Sequence, residues 1–289
     1  MALTPDRASE RAWDCDGFRL AGLCWGEQGS TPVLALHGWL DNAASFALLA
    51  PALAESHYVV APDLTGHGQS SRRSADATYN VYDDLPQLRA LVRHLGLERF
   101  ALVGHSRGAI ISALYAACFA EQVSHLVLLD GVAPPPLDES AFVEQLRNFV
   151  TDRERLLSRP NRVFRSVEDA VTVREEQGLD RRAAELIARR NLKPCEGGYT
   201  WSTDPRLRGA SAAKMTRAQV DTMLAALPQK TLLLMAERGL AATHPRRFGT
   251  IAGGRSDLVA EEFPGGHHFH MQEGVDTLAA RISRFLGED

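Results

Sequence analysis

Ser106 lies at the centre of the sequence GHSRG (104–108), which has the form G-x-S-x-G. The apolar run FALV precedes this sequence, and a helix-like segment (109–122) follows it. A serine in a tight turn between a strand and a helix exposes its hydroxyl at the positive end of the helix dipole. Gly104 and Gly108 fit this turn because side chains there would clash with the neighbouring strand and helix. The pattern therefore predicts nucleophilic catalysis by Ser106.

A serine nucleophile needs a base, and the chain has ten histidines. His267 follows a predicted last strand and a Gly-Gly turn in EEFPGGHHFHM (261–271), just before a predicted C-terminal helix. In an open α/β sheet this placement brings His267 to the crevice at the carboxyl ends of the strands, beside Ser106. We therefore expect His267 to be the base and His270 to support its loop.

The same histidine-rich segment could also suggest a metal site. Three histidines within four residues rarely converge on one ion without a carboxylate or cysteine partner. We therefore predict no metal site and expect no cofactor.

Attack on a carbonyl develops negative charge on oxygen, which needs preorganised N–H donors. The Arg107 N–H, one residue past the nucleophile, is the first candidate. The loop LALHGWLDN (34–42) supplies the second, and the Trp39 N–H is the natural donor there because Gly38 lets the backbone approach closely. Trp39 and His37 are also candidates for contact with the substrate. The Trp39 side chain could equally cover the core, and His37 is better suited to holding this loop by hydrogen bonds than to acting as a base.

The elements that position these residues are predicted by short apolar runs. Runs of four or more apolar residues that end in polar or glycine-rich turns are typical of strands buried on both faces. Helix-like segments separate them, and this alternation favours an open parallel sheet covered by helices on both faces. The runs lie at 32–38, 57–63, 100–106 and 125–131, with further strand-like segments after residue 230.

The pattern of the sequence changes after residue 133. Three prolines break the chain, and the following residues are rich in charge and contain amphipathic helix patterns but no convincing strand. We predict a core formed by residues 1–133 and 212–289 and a helical cap formed by residues 134–211.

Composition excludes several classes of function. A net charge of −4 does not suit a nucleic-acid partner. The four cysteines form no C-x-x-C pair, which fits a reducing compartment. No apolar run is long enough to span a bilayer, and the N-terminal residues lack the apolar region of a signal peptide. We therefore expect a cytoplasmic monomer or homodimer with a small-molecule partner and no membrane partner.

Four motifs together resemble the α/β-hydrolase superfamily. They are HGW (37–39), DLTGHGQSS (63–71), GHSRG (104–108) and PGGHHFHM (264–271), and they occur in the family's order. Within the superfamily the chain most resembles the serine hydrolase-like proteins. The resemblance implies a mostly parallel eight-stranded sheet, a helical cap inserted after the sixth strand and cofactor-free ester hydrolysis, with no defined substrate.

The resemblance also frames the search for the acid that orients His267. Many relatives carry an aspartate a few residues beyond the strand TLLLMA, but Gly239 stands at that position here. Asp130 ends the preceding core strand after four apolar residues, where a low-dielectric setting would let it fix the His267 tautomer. We favour Asp130 and keep Glu237 as the reserve candidate.

These residues predict a serine hydrolase that cleaves carboxylic esters through an acyl-enzyme. A serine at this position disfavours epoxide opening and dehalogenation, which use an aspartate nucleophile. The alternatives are a lactonase or C–C bond hydrolase with the same triad, because selectivity lies in the cap. A ligand-binding protein that retains the fold is the alternative from another class.

Overall fold

The structure is a computed structural model that describes residues 8–159, 161–243, 258 and 260–288. Its largest element is an eight-stranded sheet with the strand order β1-β2-β4-β3-β5-β6-β10-β11. The first two strands form an antiparallel hairpin, β2 is also antiparallel to β4, and the remaining pairs are parallel. The strands are β1 (Ser9–Cys15), β2 (Phe18–Trp25), β3 (Thr31–Leu36), β4 (His57–Pro62), β5 (Phe100–His105), β6 (Val123–Leu129), β10 (Thr231–Arg238) and β11 (Ala260–Gly266).

Helices cover both faces of this sheet, as the sequence predicts. Successive residues of β5 face opposite sides, so that Val103 belongs to one apolar cluster and Leu102 to the other. The first cluster includes residues of α1 and α9, and the second includes residues of α2, α3 and α7. These helices are α1 (Ala50–Leu53), α2 (Asp84–His94), α3 (Arg107–Cys118), α7 (Arg217–Ala225) and α9 (Val275–Leu286), and the short α8 (Leu240–Thr243) follows β10.

The segment between β6 and α7 contains three further helices and a small sheet. The helices are α4 (Phe142–Ser158), α5 (Val167–Glu176) and α6 (Arg181–Asn191). No strand is predicted from the sequence in residues 134–211, and this prediction is wrong. An antiparallel sheet in the order β7-β9-β8 lies here, formed by β7 (Val163–Phe164), β8 (Leu192–Cys195) and β9 (Gly198–Trp201). Strands of two to four residues are too short to show an alternating pattern.

The connections of the sheet bring the predicted site residues to one edge. The predicted site residues follow the carboxyl ends of β3, β5, β6 and β11. Because parallel strands in one sheet end on the same side, these residues meet at one edge. No helix among the described residues is long and apolar enough to cross a membrane.

Candidate active site

Ser106 lies in a strained turn between β5 and α3. Its backbone has φ 52° and ψ −113°, which is outside the regions that L-residues ordinarily adopt. The flanking glycines permit this turn. A Cβ at Gly108 would lie 2.0 Å from the Leu36 carbonyl oxygen of β3, and one at Gly104 would lie 2.4 Å from the Gly108 carbonyl oxygen. The predicted steric reason for both glycines is therefore present in the structure.

His267 connects Ser106 to Asp130. Its Nε2 atom accepts a hydrogen bond from the Ser106 hydroxyl at 2.9 Å, and its Nδ1–H donates to Asp130 Oδ2 at 2.5 Å. This chain of hydrogen bonds fixes one tautomer of the imidazole, with the lone pair of Nε2 aimed at the serine. A base in this position can take the proton of the attacking hydroxyl.

Asp130 is completely buried at the end of β6 and has a positive φ of 46°. Its Oδ1 atom accepts a hydrogen bond from the Ala236 N–H at 3.2 Å, and its Oδ2 atom accepts one from the Leu240 N–H at 2.9 Å. These donors, together with His267, compensate the cost of burying the carboxylate. The backbone of the β10–α8 connection therefore sets the orientation of the Asp130 carboxylate.

The end of β10 leaves room for the carboxylate of Asp130, the favoured acid candidate. A Cβ at Gly239 would lie 2.4 Å from both carboxylate oxygens of Asp130. Position 239 therefore has no side chain, and the carboxylate from the neighbouring strand occupies the space. The reserve candidate Glu237 has a half-exposed side chain that pairs with Arg238 at 3.2 Å, and it makes no hydrogen bond to His267.

The predicted oxyanion donors flank the serine from two elements. Arg107 is the first residue of α3, where a backbone N–H has no acceptor within the helix. Trp39 follows Gly38 in the loop after β3, and both residues line the same cavity as Ser106. The Trp39 N–H donates to no carbonyl among the described residues. The roles of the Trp39 and Arg107 N–H groups as oxyanion donors stay predictions.

The side chains of the same two residues fasten the site to its surroundings. Trp39 lines the cavity with half of its surface exposed, and its Nε1–H donates to the Leu207 carbonyl at 2.7 Å. The Arg107 guanidinium turns away to the buried Asp84 at 2.6 Å, which also pairs with Arg73 at 2.9 Å. The indole therefore connects the loop after β3 to the segment between β6 and α7, while the guanidinium anchors the start of α3.

His37 does not line the cavity, contrary to the expectation that it contacts substrate. Its side chain is fully buried, its Nδ1–H donates to the Gly38 carbonyl at 2.8 Å, and its Nε2 accepts from the Leu64 N–H at 2.9 Å. Burial lowers the pKa of His37, which keeps the imidazole neutral. Its position is that of a residue that holds the Trp39 loop, which is the other role that the sequence suits.

Three other histidines surround His267. His105 is buried and its Nε2–H donates to the His267 carbonyl at 2.8 Å, while the buried His270 bonds the Ser45 hydroxyl at 2.8 Å through Nε2. Burial, together with the neighbouring histidines, lowers the pKa of His105 and of His270 well below the ordinary value. Both rings are therefore neutral supports of the loop.

Asp41 is the buried residue of this site that the sequence analysis missed. It accepts a hydrogen bond from His268 Nε2 at 3.0 Å and pairs with Arg174 of α5 at 2.5 Å. Burial alone would raise the pKa of Asp41, but His268 and Arg174 hold it well below its usual range. No local motif marks Asp41, since its partners are distant in sequence.

Histidines this close in sequence rarely bind one metal ion without a carboxylate or cysteine partner, and Asp41 places a carboxylate beside two of the histidines. Its oxygen and one ring nitrogen each of His105 and His268 lie within 4.8 Å of one another, close enough to hold an ion. The hydrogen bond from His268 and the ion pair with Arg174 already use this carboxylate. The interactions within the protein therefore account for the arrangement.

A cavity of about 520 Å³ opens beside the serine. This volume lies in the range of small-molecule sites. The core contributes the loop after β3 and the histidine loop, and the segment between β6 and α7 contributes the opposite wall. The polar, charged and aromatic side chains that line this cavity include Trp39, Asp41, Ser106, Arg162, Arg174, Trp201, Arg208, His267 and His268.

Comparison with known proteins places this site in a family. The model of the α/β hydrolase fold matches residues 31–273. Human serine hydrolase-like protein 2 is 30% identical, with the match covering 92% of this chain and 90% of that protein. The chain therefore belongs to the α/β-hydrolase family, in the group of serine hydrolase-like proteins.

Solved structures agree with this assignment. A hypothetical protein of Pseudomonas aeruginosa PAO1 superimposes with a TM-score of 0.91 at 35% identity, covering 96% of this chain and 99% of that one. The thioesterase domain from the curacin biosynthetic pathway has a TM-score of 0.82 at 26% identity, covering 95% and 98%. The predicted fold, a mostly parallel eight-stranded sheet flanked by helices, is confirmed.

Proposed function

We propose that this protein hydrolyses carboxylic esters, with Ser106 as nucleophile, His267 as base and Asp130 as the acid that orients the base. The observation that carries the proposal is the continuous hydrogen-bond chain from Ser106 Oγ through His267 to the buried Asp130, at the wall of a substrate-sized cavity. Membership of a hydrolase family supports the same chemistry.

The reaction begins when Ser106 Oγ attacks the ester carbonyl and His267 Nε2 takes its proton. The backbone N–H groups of Trp39 and Arg107 donate to the oxyanion of the tetrahedral intermediate. His267 then gives the proton to the leaving alcohol, which leaves the acyl group on Ser106. Water then attacks the acyl group with His267 as its base, and the carboxylic acid product leaves Ser106. Asp130 stabilises the imidazolium in each half-reaction.

A thioester is a second acyl donor for the same machinery. The similarity to the curacin thioesterase domain, at 26% identity over most of both chains, favours its inclusion. Attack, proton transfer and acyl-enzyme hydrolysis are the same, with a thiol as the leaving group. Ester and thioester hydrolysis therefore share the residues proposed here.

Hydrolysis of 4-nitrophenyl acetate by wild-type protein and Ser106→Ala tests the proposal. We expect the variant to lose at least about three orders of magnitude in kcat, because the nucleophile acts as a unit with its base. Ser112→Ala, a buried serine farther along α3, is the matched control and should retain wild-type turnover. Wild-type turnover in Ser106→Ala would contradict the proposal.

A ligand-binding protein with an inert serine would give a different result. A fluorophosphonate phosphonylates an activated serine and adds one group to the intact mass of the protein. We expect one adduct in the wild-type protein and none in Ser106→Ala. Absence of an adduct in the wild-type protein, with no ester cleaved, would favour the non-catalytic alternative.

A further inference from the structure

The cavity beside Ser106 contains more positive charge than its own acids balance. Three arginines line it, namely Arg162, Arg174 and Arg208, and Asp41 is the one carboxylate among the lining residues. Asp41 is already engaged by Arg174 at 2.5 Å and by His268 at 3.0 Å. The chain as a whole has a net charge of −4, so this excess is a local feature and does not follow from composition.

Among the three arginines that line the cavity, Arg208 has the fewest interactions with other described residues. It ends the short 3-10 helix Pro205–Arg208, and its guanidinium makes no hydrogen bond or ion pair with any other residue that the structure describes. Its neighbour Arg206, in the same turn, pairs with Asp204 at 2.8 Å and donates to several backbone carbonyls. The absence of a partner for Arg208 is therefore not a general property of arginines in this turn.

The backbone on either side fixes where Arg208 lies. The carbonyl of Leu207 accepts the 2.7 Å hydrogen bond from Trp39 Nε1, and Trp39 follows Gly38, where an added Cβ would lie 2.9 Å from the His105 ring. This bond ties the turn to the oxyanion loop. Arg208 is therefore held on the cap wall of the cavity that contains Ser106.

Arg162 adds a second cation without an acidic partner. Its guanidinium lies over the Phe164 ring at 5.0 Å from the centroid, and it makes no ion pair with a described residue. A ring contact orients a guanidinium but leaves its N–H donors free. The charge of Arg162 is therefore oriented but not neutralised.

The proximity of like charges has a cost that a ligand can offset. The side chain of Arg208 is exposed at the cavity. Desolvation, and then the positive charge of Arg174, lower the pKa of Arg208. Two guanidinium groups that repel one another on one wall are stabilised by an anion that binds beside them. Carboxylates match the planar N–H donors of arginine, so the electrostatic complement of this wall is an anionic group on the ligand.

We propose that the substrates are esters that carry a carboxylate, which Arg208 binds with support from Arg162 while the ester carbonyl lies at Ser106. Apolar residues also line this cavity, and they suit a hydrocarbon body for such a molecule; they are Leu40, Val173, Leu179 and Trp201. This inference rests on the proposed ester hydrolysis and specifies its substrate class. It also assigns Arg208 as a specificity-determining residue.

Two pairs of esters, each differing only in whether one carboxyl group is free or methylated, test the inference. In the first pair the charge is on the acyl side, with 4-nitrophenyl hydrogen adipate against its methyl ester. In the second it is on the alcohol side, with 4-carboxyphenyl acetate against its methyl ester. We expect kcat/KM to favour the anionic member of at least one pair by about 10-fold or more, the range of a charge-assisted hydrogen bond. The pair that shows the preference identifies the side of the ester that carries the charge.

The variant Arg208→Gln should remove most of this preference, because it should lower kcat/KM for the anionic ester much more than for the neutral ester. Arg208→Lys should restore part of it, because the charge returns without the planar donor pair. Arg182→Gln is the matched control, since Arg182 is an exposed arginine of α6 that does not line the cavity. Its selectivity should equal that of the wild-type protein.

Equal rates within both pairs, or a preference unchanged in Arg208→Gln, would overturn the inference while Ser106-dependent hydrolysis still stands. Binding is measured separately by calorimetric titration of the Ser106→Ala protein with monomethyl adipate and with dimethyl adipate. We expect the monoanion to bind at least about 10-fold more tightly, with the difference lost in the Ser106→Ala/Arg208→Gln protein. If no ester is cleaved, ester hydrolysis fails and this titration alone decides the inference, with equal binding overturning it.

Discussion

The carboxylate of Asp130 occupies space that any side chain at position 239 would fill. The sequence shows that Gly239 stands where many relatives have their acid, and it shows a buried strand ending in Asp130, but it does not show that the two facts are linked. The link is spatial, because residues 130 and 239 end neighbouring parallel strands. At the residue scale, Asp130 and Gly239 therefore form one unit.

Gly239→Ala tests this unit. The added methyl would lie 2.4 Å from both Asp130 oxygens, well inside a van der Waals contact of about 3.5 Å, so the carboxylate or the β10–α8 connection must shift. We expect a loss of about 10-fold or more in kcat and a destabilisation of about 1–3 kcal/mol. Gly287→Ala, where the nearest atoms are 3.6 Å from the added Cβ, is the control. Unchanged turnover in Gly239→Ala would show that the carboxylate tolerates displacement.

At the scale of elements, the sequence predicts those parts whose pattern is local. The buried strands β3 to β6 and the strand–turn–helix around Ser106 each occupy one continuous segment, and their apolar runs and glycines suffice to identify them. The β1–β2 hairpin also has a local signal, the Asp-Gly pair at its turn. Asp16 and Gly17 both have positive φ between Cys15 and Phe18, as Asp-Gly turns of two-residue hairpins do.

Elements that depend on distant partners could not be predicted in this way. The strands of the β7-β9-β8 sheet pair with one another, and β7 lies more than 30 residues before its partner β9. The partnership of Asp41 with Arg174 joins residues 133 positions apart, and that of Trp39 with Leu207 joins residues 168 positions apart. Ser106 and His267 were predicted because glycine turns mark them, whereas the cavity wall has no such marker.

At the scale of the whole molecule, charge is distributed so that neutral histidines are buried in the core. His37, His67, His105 and His270 are all fully buried, and burial is the leading cause that lowers the pKa of each one. In the unfolded chain a histidine titrates at about 6.5. Below that pH the unfolded state therefore binds more protons than the folded state.

This difference gives stability a defined pH dependence. The stability is complete above the unfolded pKa and falls as pH decreases below about 6.5, because the unfolded histidines take up protons while the folded ones stay neutral. Each buried histidine contributes up to about 1.4 kcal/mol per pH unit. We expect the urea midpoint to fall between pH 7.5 and pH 5.5. A midpoint that is constant or rises as the pH is lowered would contradict this account.

A variant pair assigns the effect to the buried rings. His270→Asn removes one buried histidine and should flatten the dependence of the midpoint on pH. His94→Asn changes an exposed histidine at the end of α2 and should leave the dependence as in the wild-type protein. Equal slopes for the two variants would show that His270 does not contribute.

Hydrolysis of 4-nitrophenyl acetate by variants of Asp130 and Glu237 tests most directly whether Asp130 is the acid that orients His267. Asp130→Asn keeps the shape of the buried side chain but no longer stabilises the imidazolium or selects the His267 tautomer, and we predict a loss of about 10⁴-fold in kcat. Glu237→Gln, at the exposed end of β10, should retain wild-type turnover. Wild-type turnover in Asp130→Asn, or a large loss confined to Glu237→Gln, would contradict the assignment of Ser106, His267 and Asp130 as one catalytic unit.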